Sequence, residues 1–405
     1  MINLNYNIWL QTVLGAGAKT ENILNFFSSA EEIYRSTETE RKLSGVFTPR
    51  QICKMAETDI GKSYEILENC AGLGVDVVTM DSSQYPAGLL QIPNAPIVLY
   101  VKGDIKCLSD CIPISIVGTR NASARALSKT FELSGMLSNS GFCIVSGGAL
   151  GIDSAAHAGA IHAKGKTVAV LGAGIGAKYL QKNAHLRTAV SENGAILSEY
   201  PPFTEPHKGT FPMRNRLIAG LSVGTVVVEA GIKSGSLITA KFANEQGHDV
   251  FAVPDRYSGR SNEGVKELLR DGAKPVFCAM DILSEYIYKF PEKVVIHAHI
   301  DLMKDLSKCE PDYENYKLKY ANINESKRTT DNTHIKSKRK EITDLISDTA
   351  VKVYNVFENE PLSINNIAEV LDIPVNSILS ALTELEIYGY INLLPDNKYI
   401  LKQEG

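Results

Sequence analysis

The sequence has no long hydrophobic run, few cysteines and almost no net charge. None of its apolar stretches approaches the roughly 18 residues that span a bilayer, which excludes an integral membrane protein. Its seven cysteines form no CxxC pair, which argues against a disulfide framework and a structural zinc site and favours the reducing cytoplasm. Residues 1–10 lack the basic patch and apolar core of a signal peptide, so we expect no export. The formal charge of −4 over 405 residues gives no sign of nucleic-acid binding.

The charges are unevenly distributed along the chain. Residues 1–100 carry a net charge of −4, and residues 101–316 carry +2. Residues 317–340 carry +6, and residues 341–405 carry −8. Because residues 322–340 contain almost no apolar side chain, they cannot bury a core, and we interpret them as part of a solvated, flexible linker. A mildly basic middle region, a basic linker and an acidic C-terminal region are therefore separate electrostatic units.

The middle of the chain has the pattern of a doubly wound α/β domain. Short apolar runs alternate there with Gly-rich turns and amphipathic segments, and each run is rich in Val and Ile, as in strands covered on both faces. The runs are PISIVG (113–118), FCIVSGG (142–148), KTVAVLG (166–172), AILSE (195–199), GTVVVEA (224–230) and HDVFAVP (248–254). They predict a Rossmann-like parallel sheet with helices on both sides.

The two ends of the chain have helical patterns. Residues 1–70 predict several short helices with a break at Gly15-Ala16-Gly17. Residues 345–402 show three helical patterns and then two short strand patterns, which is the element order of a winged helix. We therefore predict a helical domain (1–75), an extended Rossmann-like domain (76–300), a flexible basic linker (301–342) and a winged-helix domain (343–405).

Glycine and small hydroxyl residues follow three of the predicted strands. Glycine lets a ligand approach the backbone, amides at a helix start donate hydrogen bonds, and an arginine fork matches a phosphate group. Because the carboxyl ends of parallel strands meet at one edge of a sheet, the three loops predict an anion-binding crevice. The candidate residues are Gly118 and Arg120 after the first run, Ser146 and Gly147 after the second, and Ser234, Gly235 and Ser236 after the fifth.

Three polar residues near these loops have two interpretations each. Asp153 is a helix N-cap or a ligand contact. His157 lies one turn into an apolar helix, which fits a packed, hydrogen-bonded core residue better than a catalytic base. Glu229 is a general base or a carboxylate that holds a neighbouring loop by accepting backbone N–H bonds.

The segment 199–222 places cations beside an aromatic residue. It contains Lys208, Phe211, Arg214, Asn215 and Arg216. Such a set suits single-stranded nucleic acid, because the cations contact phosphates and the ring offers a face to a base. The alternative is that Phe211 anchors the segment into the core and that the arginines pair with acidic residues such as Glu199 or Glu229.

The motifs of common nucleotide cofactors are missing. Gly172-Ala173-Gly174-Ile175-Gly176 has the spacing GxGxG instead of GxGxxG, and no ribose-binding acidic residue follows at the right distance, which disfavours a nicotinamide cofactor. Residues 159–167 have the wrong spacing and precede a strand, which excludes a Walker loop for ATP. We expect no cofactor, no metal and no catalytic residue.

Several of these strings, taken in order, resemble the DNA-processing protein A family, which is also called DprA or Smf. They are QYPAGLLQIPNAPIVLYVKG, IVGTRNAS, VSGGALGIDSAAHAGAI, LSEYPP, FPMRNRLIAGLS and VVVEAGIKSGSLITAKFANEQGHDVFAVP. Together they cover residues 80–285. The N-terminal region is similar, less closely, to the family's helix-hairpin-helix or SAM-like domain, and the C-terminal region to its winged helix.

The resemblance implies a function, partners and site residues. Members bind single-stranded DNA with little sequence preference, protect it, and load the RecA recombinase onto it during natural transformation of competent cells. They act as homodimers joined through the Rossmann-like domain, and they are not established enzymes. The resemblance implies that Arg120, Lys208 and Phe211 form the DNA pocket, with Arg214 and Asn215 as supports.

The sequence departs from the family pattern at several positions. The arginine of the usual SGLARGID string is Leu150 here, which removes one cation. The aspartate and proline of the usual LGTGLDxxYPxxN string are Gly176 and Leu180, which puts a binding role for Lys182 in doubt, although Asn183 matches.

Two other functions are weighed against DNA delivery. The same kind of sheet resembles phosphoribohydrolases that act on nucleoside monophosphates, in which Glu229 would polarise the ribose and Arg120 would bind the phosphate. A structural scaffold that acts through its acidic winged-helix domain is the third hypothesis, and it predicts no DNA binding.

Two further expectations concern surfaces away from the crevice. The third helix of the winged-helix domain, residues 375–388, has no Lys or Arg and contains Glu384 and Glu386, so we expect it to dock on a partner or on the basic middle domain instead of reading duplex DNA. We expect the contacts of the homodimer between Asn262 and Ile282.

Overall fold

The chain divides into two units, and each is described by itself. The first unit comprises residues 1–325 and the second residues 326–405. The structure is a computed structural model that describes residues 2–178, 183–254, 262–295, 347–357, 362–371, 377–378, 381–382, 384–385, 390–393 and 398–401. The predicted linker, 301–342, lies outside the described residues.

A nine-stranded sheet forms the centre of the first unit. Its strands are β1 (Asp76–Thr79), β2 (Val98–Gly103), β3 (Ile112–Val117), β4 (Phe142–Ser146), β5 (Lys166–Leu171), β6 (Gly194–Ser198), β7 (Gly224–Val227), β8 (Asp249–Ala252) and β9 (Lys274–Pro275). The strand order is β1-β2-β6-β5-β4-β3-β7-β8-β9. From β6 to β9 all neighbours are parallel, whereas β2 is antiparallel to both β1 and β6. The predicted parallel sheet is confirmed, and an antiparallel pair extends one edge.

Helices connect the strands and cover the sheet. In the N-terminal region they are α1 (Ile2–Leu14), α2 (Glu21–Phe26), α3 (Ala30–Arg35), α4 (Glu38–Ser44), α5 (Pro49–Glu57) and α6 (Gly61–Leu73). Among the strands lie α7 (Ala87–Leu90), α8 (Cys107–Asp110), α9 (Ala124–Asn139), α10 (Ile152–His162), α11 (Ala184–Glu192), α12 (Thr210–Gly220), α13 (Gly235–Glu245), α14 (Glu263–Arg270) and α15 (Ala279–Tyr286).

Polar and apolar residues do not alternate along strand β4, because both of its faces are buried. Cys143 and Val145 belong to one buried cluster, and Phe142 and Ile144 belong to another. Successive side chains of a strand point to opposite faces of the sheet, so two separate clusters indicate that both faces are covered. The helices on both sides that the sequence predicts are confirmed.

The N-terminal helices pack on strand β2 and share its core. Trp9 of α1 lies in the same buried cluster as Val98 and Tyr100 of β2. Helix α4 begins with a capping box, in which Thr37 and Glu40 each accept a hydrogen bond from the other's backbone amide. The predicted helices and the break between α1 and α2 are confirmed.

The strand order reverses at β3. Strands β4, β5 and β6 follow β3 on one side, whereas β7, β8 and β9 lie on the other. Such a reversal is a topological switch point, at which the loops leaving the two central strands diverge and open a crevice outside their carboxyl ends. The loops after β3 and β7, both of which carry predicted site residues, border this crevice.

The second unit contains helices and a small sheet around its own core. Its elements are α16 (Asp348–Val356), β10 (Leu362–Ser363), α17 (Ile364–Leu371), β11 (Ile391–Leu393) and β12 (Lys398–Leu401). The strands pair in the order β10-β12-β11. The described residues of the predicted third helix, 377–378, 381–382 and 384–385, are helical. Glu386 lies outside the described residues.

Three findings are negative within the described ranges. None of the helices there has both the length and the apolar character needed to cross a bilayer. The same residues contain no group of three or more His, Cys, Asp or Glu side chains arranged to hold a metal ion. Each of the six cysteines among them is a free thiol.

Candidate functional site

A cavity of about 330 Å³ opens at the switch point of the sheet. Its walls are the loop after β3, the start of α10, one side of α12 and the start of α13. It brings together eight of the eleven predicted site residues, namely Gly118, Arg120, Phe211, Arg214, Asn215, Ser234, Gly235 and Ser236. Ser146, Gly147 and Lys208 do not line it.

Arg120 and Phe211 form a cation–π pair at the cavity. The guanidinium carbon of Arg120 lies over the Phe211 ring, 5.1 Å from its centroid. Arg120 is exposed and Phe211 is half-buried, so the pair presents a cation to solvent above an apolar base. A guanidinium over a ring is a favourable cation–π arrangement. The pair therefore offers both a positive charge and a flat surface at the cavity.

Gly151 allows the Arg120 loop to approach helix α10. Its φ of 81° lies in the left-handed region, and a side chain there would collide with the carbonyl oxygens of Thr119 and Arg120. The Ile152 amide donates a hydrogen bond to the Thr119 carbonyl at 3.2 Å, and the Thr119 amide donates one to the Glu229 carbonyl at 2.8 Å. The backbone that carries Arg120 is thus held from two sides.

Arg214 forms a buried part of the cavity wall. Its side chain is 5% exposed, and its Nη1 donates to the carbonyl oxygens of Gly147, at 2.7 Å, and Val170. Its Nε donates to Asn215 Oδ1 at 3.1 Å, and Asn215 Nδ2 donates to the Gly235 carbonyl at 3.2 Å. Gly147 must be small, because a Cβ there would lie 2.7 Å from Arg214 Nη2. Arg214 therefore joins the loop after β4 to the wall and adds a fixed positive charge.

Asp153 is the carboxylate among the cavity-lining residues. Its Oδ2 accepts a hydrogen bond from the Ala149 amide at 3.2 Å, and the N-cap of α10 is Gly151. Burial raises the pKa of Asp153, and the positive charge of Arg214 opposes that rise. The N-cap interpretation of Asp153 is therefore wrong: its carboxylate holds the turn before the helix and faces the cavity.

His157 lies in the core behind the cavity. Its Nδ1 lies 2.7 Å from Thr167 Oγ1, and that hydroxyl donates to the Ile144 carbonyl at 2.7 Å, so Nδ1 carries the proton and donates. Burial, together with the charge of Arg214, lowers the pKa of His157 to about 3. The histidine is therefore neutral at pH 7, and its interpretation as a packed core residue is confirmed.

The start of helix α13 supplies backbone donors to the cavity. Ser234 is its N-cap, and the Ser234 hydroxyl lies 2.8 Å from the Ser236 hydroxyl. The first amides of a helix have no partner within the helix, and the helix dipole places a partial positive charge on them. Gly235 is exposed at this end. The wall is therefore suited to an anion that reaches the cavity.

Arg216 has a structural partner. Its Nη2 donates to Glu199 Oε1 at 2.6 Å, and both side chains are buried, with 1% and 2% exposed. The same oxygen accepts the Gly17 amide at 3.0 Å and Gln11 Nε2 at 3.4 Å. The alternative interpretation, an arginine paired with an acidic residue, is thus confirmed for Arg216. This ion pair ties the N-terminal region to helix α12.

Glu229 holds the loop that follows β3. Its Oε2 accepts the Ser123 amide and the Ser123 hydroxyl, both at 2.9 Å. Ser123 is in turn the N-cap of α9 and accepts the Ala126 amide at 3.2 Å. Glu229 does not line the cavity. The loop-holding interpretation of Glu229 is confirmed.

The remaining predicted residues do not line the cavity. Ser146 is fully buried, and its hydroxyl donates to the Ile116 carbonyl at 2.7 Å. Lys208 is exposed in the segment that precedes α12. Of the positions at which the chain departs from the family pattern, Leu150 is 39% exposed. Asn183 Nδ2 donates to the Gly148 carbonyl and the Ser154 hydroxyl, and both Leu180 and Lys182 lie outside the described residues.

Sequence reasoning missed seven lining residues, namely Val117, Thr119, Ala149, Pro212, Ile218, Ile238 and Thr239. Thr119 borders the cavity between Gly118 and Arg120, and Ile238 and Thr239 border it from α13. Positions three and four residues after Gly235 lie on the same helix face, so helical spacing could have identified Ile238 and Thr239.

Comparison with known proteins shows extensive similarity to one family. The profile of the DNA recombination-mediator protein A family matches residues 76–287, and that of the DprA winged helix domain matches residues 338–397. The DNA processing protein DprA of Bacillus subtilis (strain 168) is 44% identical over 216 residues, which is 52% of this chain and 71% of that protein. The protein Smf of Synechocystis sp. is 32% identical over 354 residues, which is 85% of this chain and 86% of that protein.

A solved structure shows the same similarity in three dimensions. The X-ray structure of DNA processing protein A (DprA) from Streptococcus pneumoniae superposes with a TM-score of 0.60 at 32% sequence identity. The match covers 69% of this chain and 97% of that chain. Together with the second family profile, it confirms the α/β fold with a helical N-terminal region and a C-terminal winged helix.

Proposed function

Because the chain belongs to the DNA recombination-mediator protein A family, we propose that it binds single-stranded DNA, protects it and delivers it to the RecA recombinase during natural transformation. The observation that carries this proposal is the cavity at the switch point. There, an exposed arginine, a buried arginine and the start of a helix face the same space. Such a site suits a phosphate backbone and does not require a particular base.

The contacts with DNA are divided between direct and supporting residues. Arg120 of the cavity, together with the exposed Lys208 in the segment that precedes α12, contacts phosphates. The exposed Gly235 and the hydroxyl groups of Ser234 and Ser236 add neutral donors. Supporting residues hold the walls in place, namely Gly118, Ser146, Gly147, Arg214 and Asn215.

The protein acts by binding and not by catalysis. The competing hypothesis, a phosphoribohydrolase, needs a carboxylate beside the ribose, and Glu229 was its candidate. That carboxylate accepts two hydrogen bonds from Ser123 and lies outside the cavity lining, which supports the binding function. Release of free base from nucleoside monophosphates, abolished in Glu229→Gln, is the result that favours the enzyme.

A homodimer through the Rossmann-like domain is part of the proposal. Within the expected contact region, 262–282, Phe277 is 61% exposed and Met280 is 44% exposed. Two large apolar side chains three residues apart form a small patch that a second copy can cover. Sedimentation should give a dimer for the wild type and a monomer for Phe277→Glu. An unchanged dimer in that variant places the interface elsewhere.

Delivery to RecA takes place in the cytoplasm, where the six free thiols among the described residues remain reduced. The test is RecA ATP hydrolysis on single-stranded DNA that a single-strand-binding protein already covers. We expect this protein to shorten the lag before hydrolysis. An unchanged lag, with DNA binding intact, contradicts the delivery step alone.

The experiment that tests DNA binding is a titration of labelled oligo-dT and of a duplex of equal length across several salt concentrations. We expect preference for the single strand. We also expect the logarithm of the binding constant to fall linearly with the logarithm of the salt concentration, because counterions leave the neutralised phosphates. Equal binding of duplex and single strand, or no binding, contradicts the proposal.

A further inference from the structure

Phe211 has contacts on more than one side of its ring. The Arg120 guanidinium lies over the ring at 5.1 Å from the centroid. Gly172 lies against the ring's Cδ1–Cε1 edge, because a Cβ built on Gly172 would be 2.9 Å from Phe211 Cδ1 and 3.4 Å from Cε1. A base that stacks on the face of Phe211 covered by Arg120 therefore has to displace the guanidinium from the ring.

The outer face of the Arg120 guanidinium is the more accessible surface. Arg120 is exposed, whereas Phe211 is half-buried. Bases of single strands stack on planar guanidinium groups as well as on aromatic rings. A base placed on the outer face of Arg120 gains that stacking and keeps the cation–π contact beneath it. A base placed on the same face of Phe211 loses the contact.

We propose that Arg120 is the surface on which a base of the single strand stacks, and that Phe211 is a positioning residue that holds the Arg120 guanidinium flat. This inference rests on the proposed function, since it assigns roles within the same site. It revises the interpretation of Phe211 as the stacking surface. Arg120 then serves two purposes, because the guanidinium supplies the phosphate-directed charge and the stacking face together.

The proposal makes Arg120→Lys a severe change although it keeps the charge. Lysine has no planar face, so stacking is lost while the electrostatic attraction remains. We expect affinity for oligo-dT to fall about five- to tenfold with an unchanged dependence on salt, because base stacking adds little to counterion release. Phe211→Leu should lower affinity about two- to fivefold, which corresponds to an exposed cation–π contact. Phe211→Tyr, which keeps the ring, should bind like the wild type.

A double-mutant cycle on the full chain separates the two interpretations. Fluorescein-labelled oligo-dT is titrated with the wild type, Arg120→Lys, Phe211→Leu and the double variant. If Phe211 acts through Arg120, Phe211→Leu has almost no effect in the Arg120→Lys background. If Phe211 itself stacks a base, the two losses multiply, and that result overturns the inference.

A fluorescence measurement tests whether a base stacks on Arg120 even if Phe211→Leu does not fold. Oligonucleotides with 2-aminopurine change their fluorescence when the base stacks. The signal should change on binding to the wild type and to Phe211→Tyr and remain that of free DNA on binding to Arg120→Lys. A retained change in Arg120→Lys overturns the inference. Wild-type protein that does not bind oligo-dT at all overturns the proposed function instead, so the two failures are distinguishable.

Discussion

Helix α12 has two sides that use the same residue type for different purposes. Phe211, Arg214 and Asn215 face the cavity, whereas Met213 and Arg216 face the N-terminal region. A helix advances by about 100° per residue, so two arginines two positions apart point in nearly opposite directions. Arg214 adds charge to the cavity wall, and Arg216 neutralises a buried carboxylate.

The difference shows that a basic cluster in a sequence is not by itself a binding surface. Exposed cations are available to a ligand, whereas a cation with a buried partner is part of the interior. Burial and hydrogen bonding separate the cations themselves. Arg120 and Lys208 are exposed, whereas Arg214 is 5% exposed and bound to backbone carbonyls. Arg216 is 1% exposed and bound to Glu199. Variants on the two sides should therefore alter different properties.

The largest effect is expected on the side that faces the N-terminal region. Arg216→Ala leaves Glu199 buried without its cation, so the free energy of unfolding should fall by about 3–5 kcal/mol. Urea unfolding followed by circular dichroism measures it. Lys241→Ala is the control, because that lysine is exposed and its only described ion pair is with Glu245 at 3.7 Å. A loss below about 1 kcal/mol for Arg216→Ala contradicts the structural role of this side.

The core behind the cavity should lose stability in acid because of His157. The pKa of His157 is about 3 in the folded protein, against 6.5 for an ordinary histidine. The unfolded chain therefore binds one more proton below about pH 6.5, and stability is lost as the pH falls from there towards 3, by up to about 1.4 kcal/mol per pH unit. His157→Asn should lose stability less steeply over this range. If the free energy of unfolding falls equally steeply with pH in the wild type and in His157→Asn, His157 does not titrate in this way.

The exposed cations Arg120 and Lys208 should affect binding and not stability. Arg120→Ala loses both the stacking face and the charge, so it should weaken oligo-dT binding more than Arg120→Lys does, by about thirtyfold. Lys208→Ala should weaken it about threefold, and each change should lower the salt slope by about one. Fluorescence anisotropy measures both, and thermal unfolding should give unchanged midpoints. The matched control is Lys62→Ala, an exposed lysine of the N-terminal helix α6. If neither Arg120→Ala nor Lys208→Ala changes the affinity, these exposed cations do not bind the single strand.

The smallest effect is expected from removing the acidic region, residues 341–405. Its third helix has no Lys or Arg in the sequence, and Glu384 accepts the Ser347 amide at 2.8 Å and the Ser347 hydroxyl at 2.6 Å. A helix with carboxylates and no cations repels phosphates. Affinity for oligo-dT should change less than about twofold, within ordinary surface effects. A sharp fall shows that this region binds DNA.

Much of the fold could be predicted because the signals are local. The buried strands are continuous apolar runs, and the glycine-rich loops after them mark the carboxyl ends at which the cavity lies. The antiparallel pairing of β2 with β6 is not contained in either segment, because strand order depends on which edges meet in the folded chain.

The site could be predicted in position but not in detail. The sequence places Arg214 and Arg216 in one basic cluster, and only the bounds of α12 and the position of Glu199 separate them. Glu229 likewise follows a strand that ends at the crevice, but its carboxylate turns towards Ser123. Side-chain direction follows from packing, which residue spacing does not determine.

The most direct test of where the single strand lies is photochemical crosslinking of an oligonucleotide that carries 5-iodouracil, followed by mass spectrometry of the crosslinked peptides. The account predicts adducts in the loop after β3, in the segment from Lys208 into α12, and at the start of α13. Adducts confined to the second unit, or to the opposite end of the parallel strands, would contradict it.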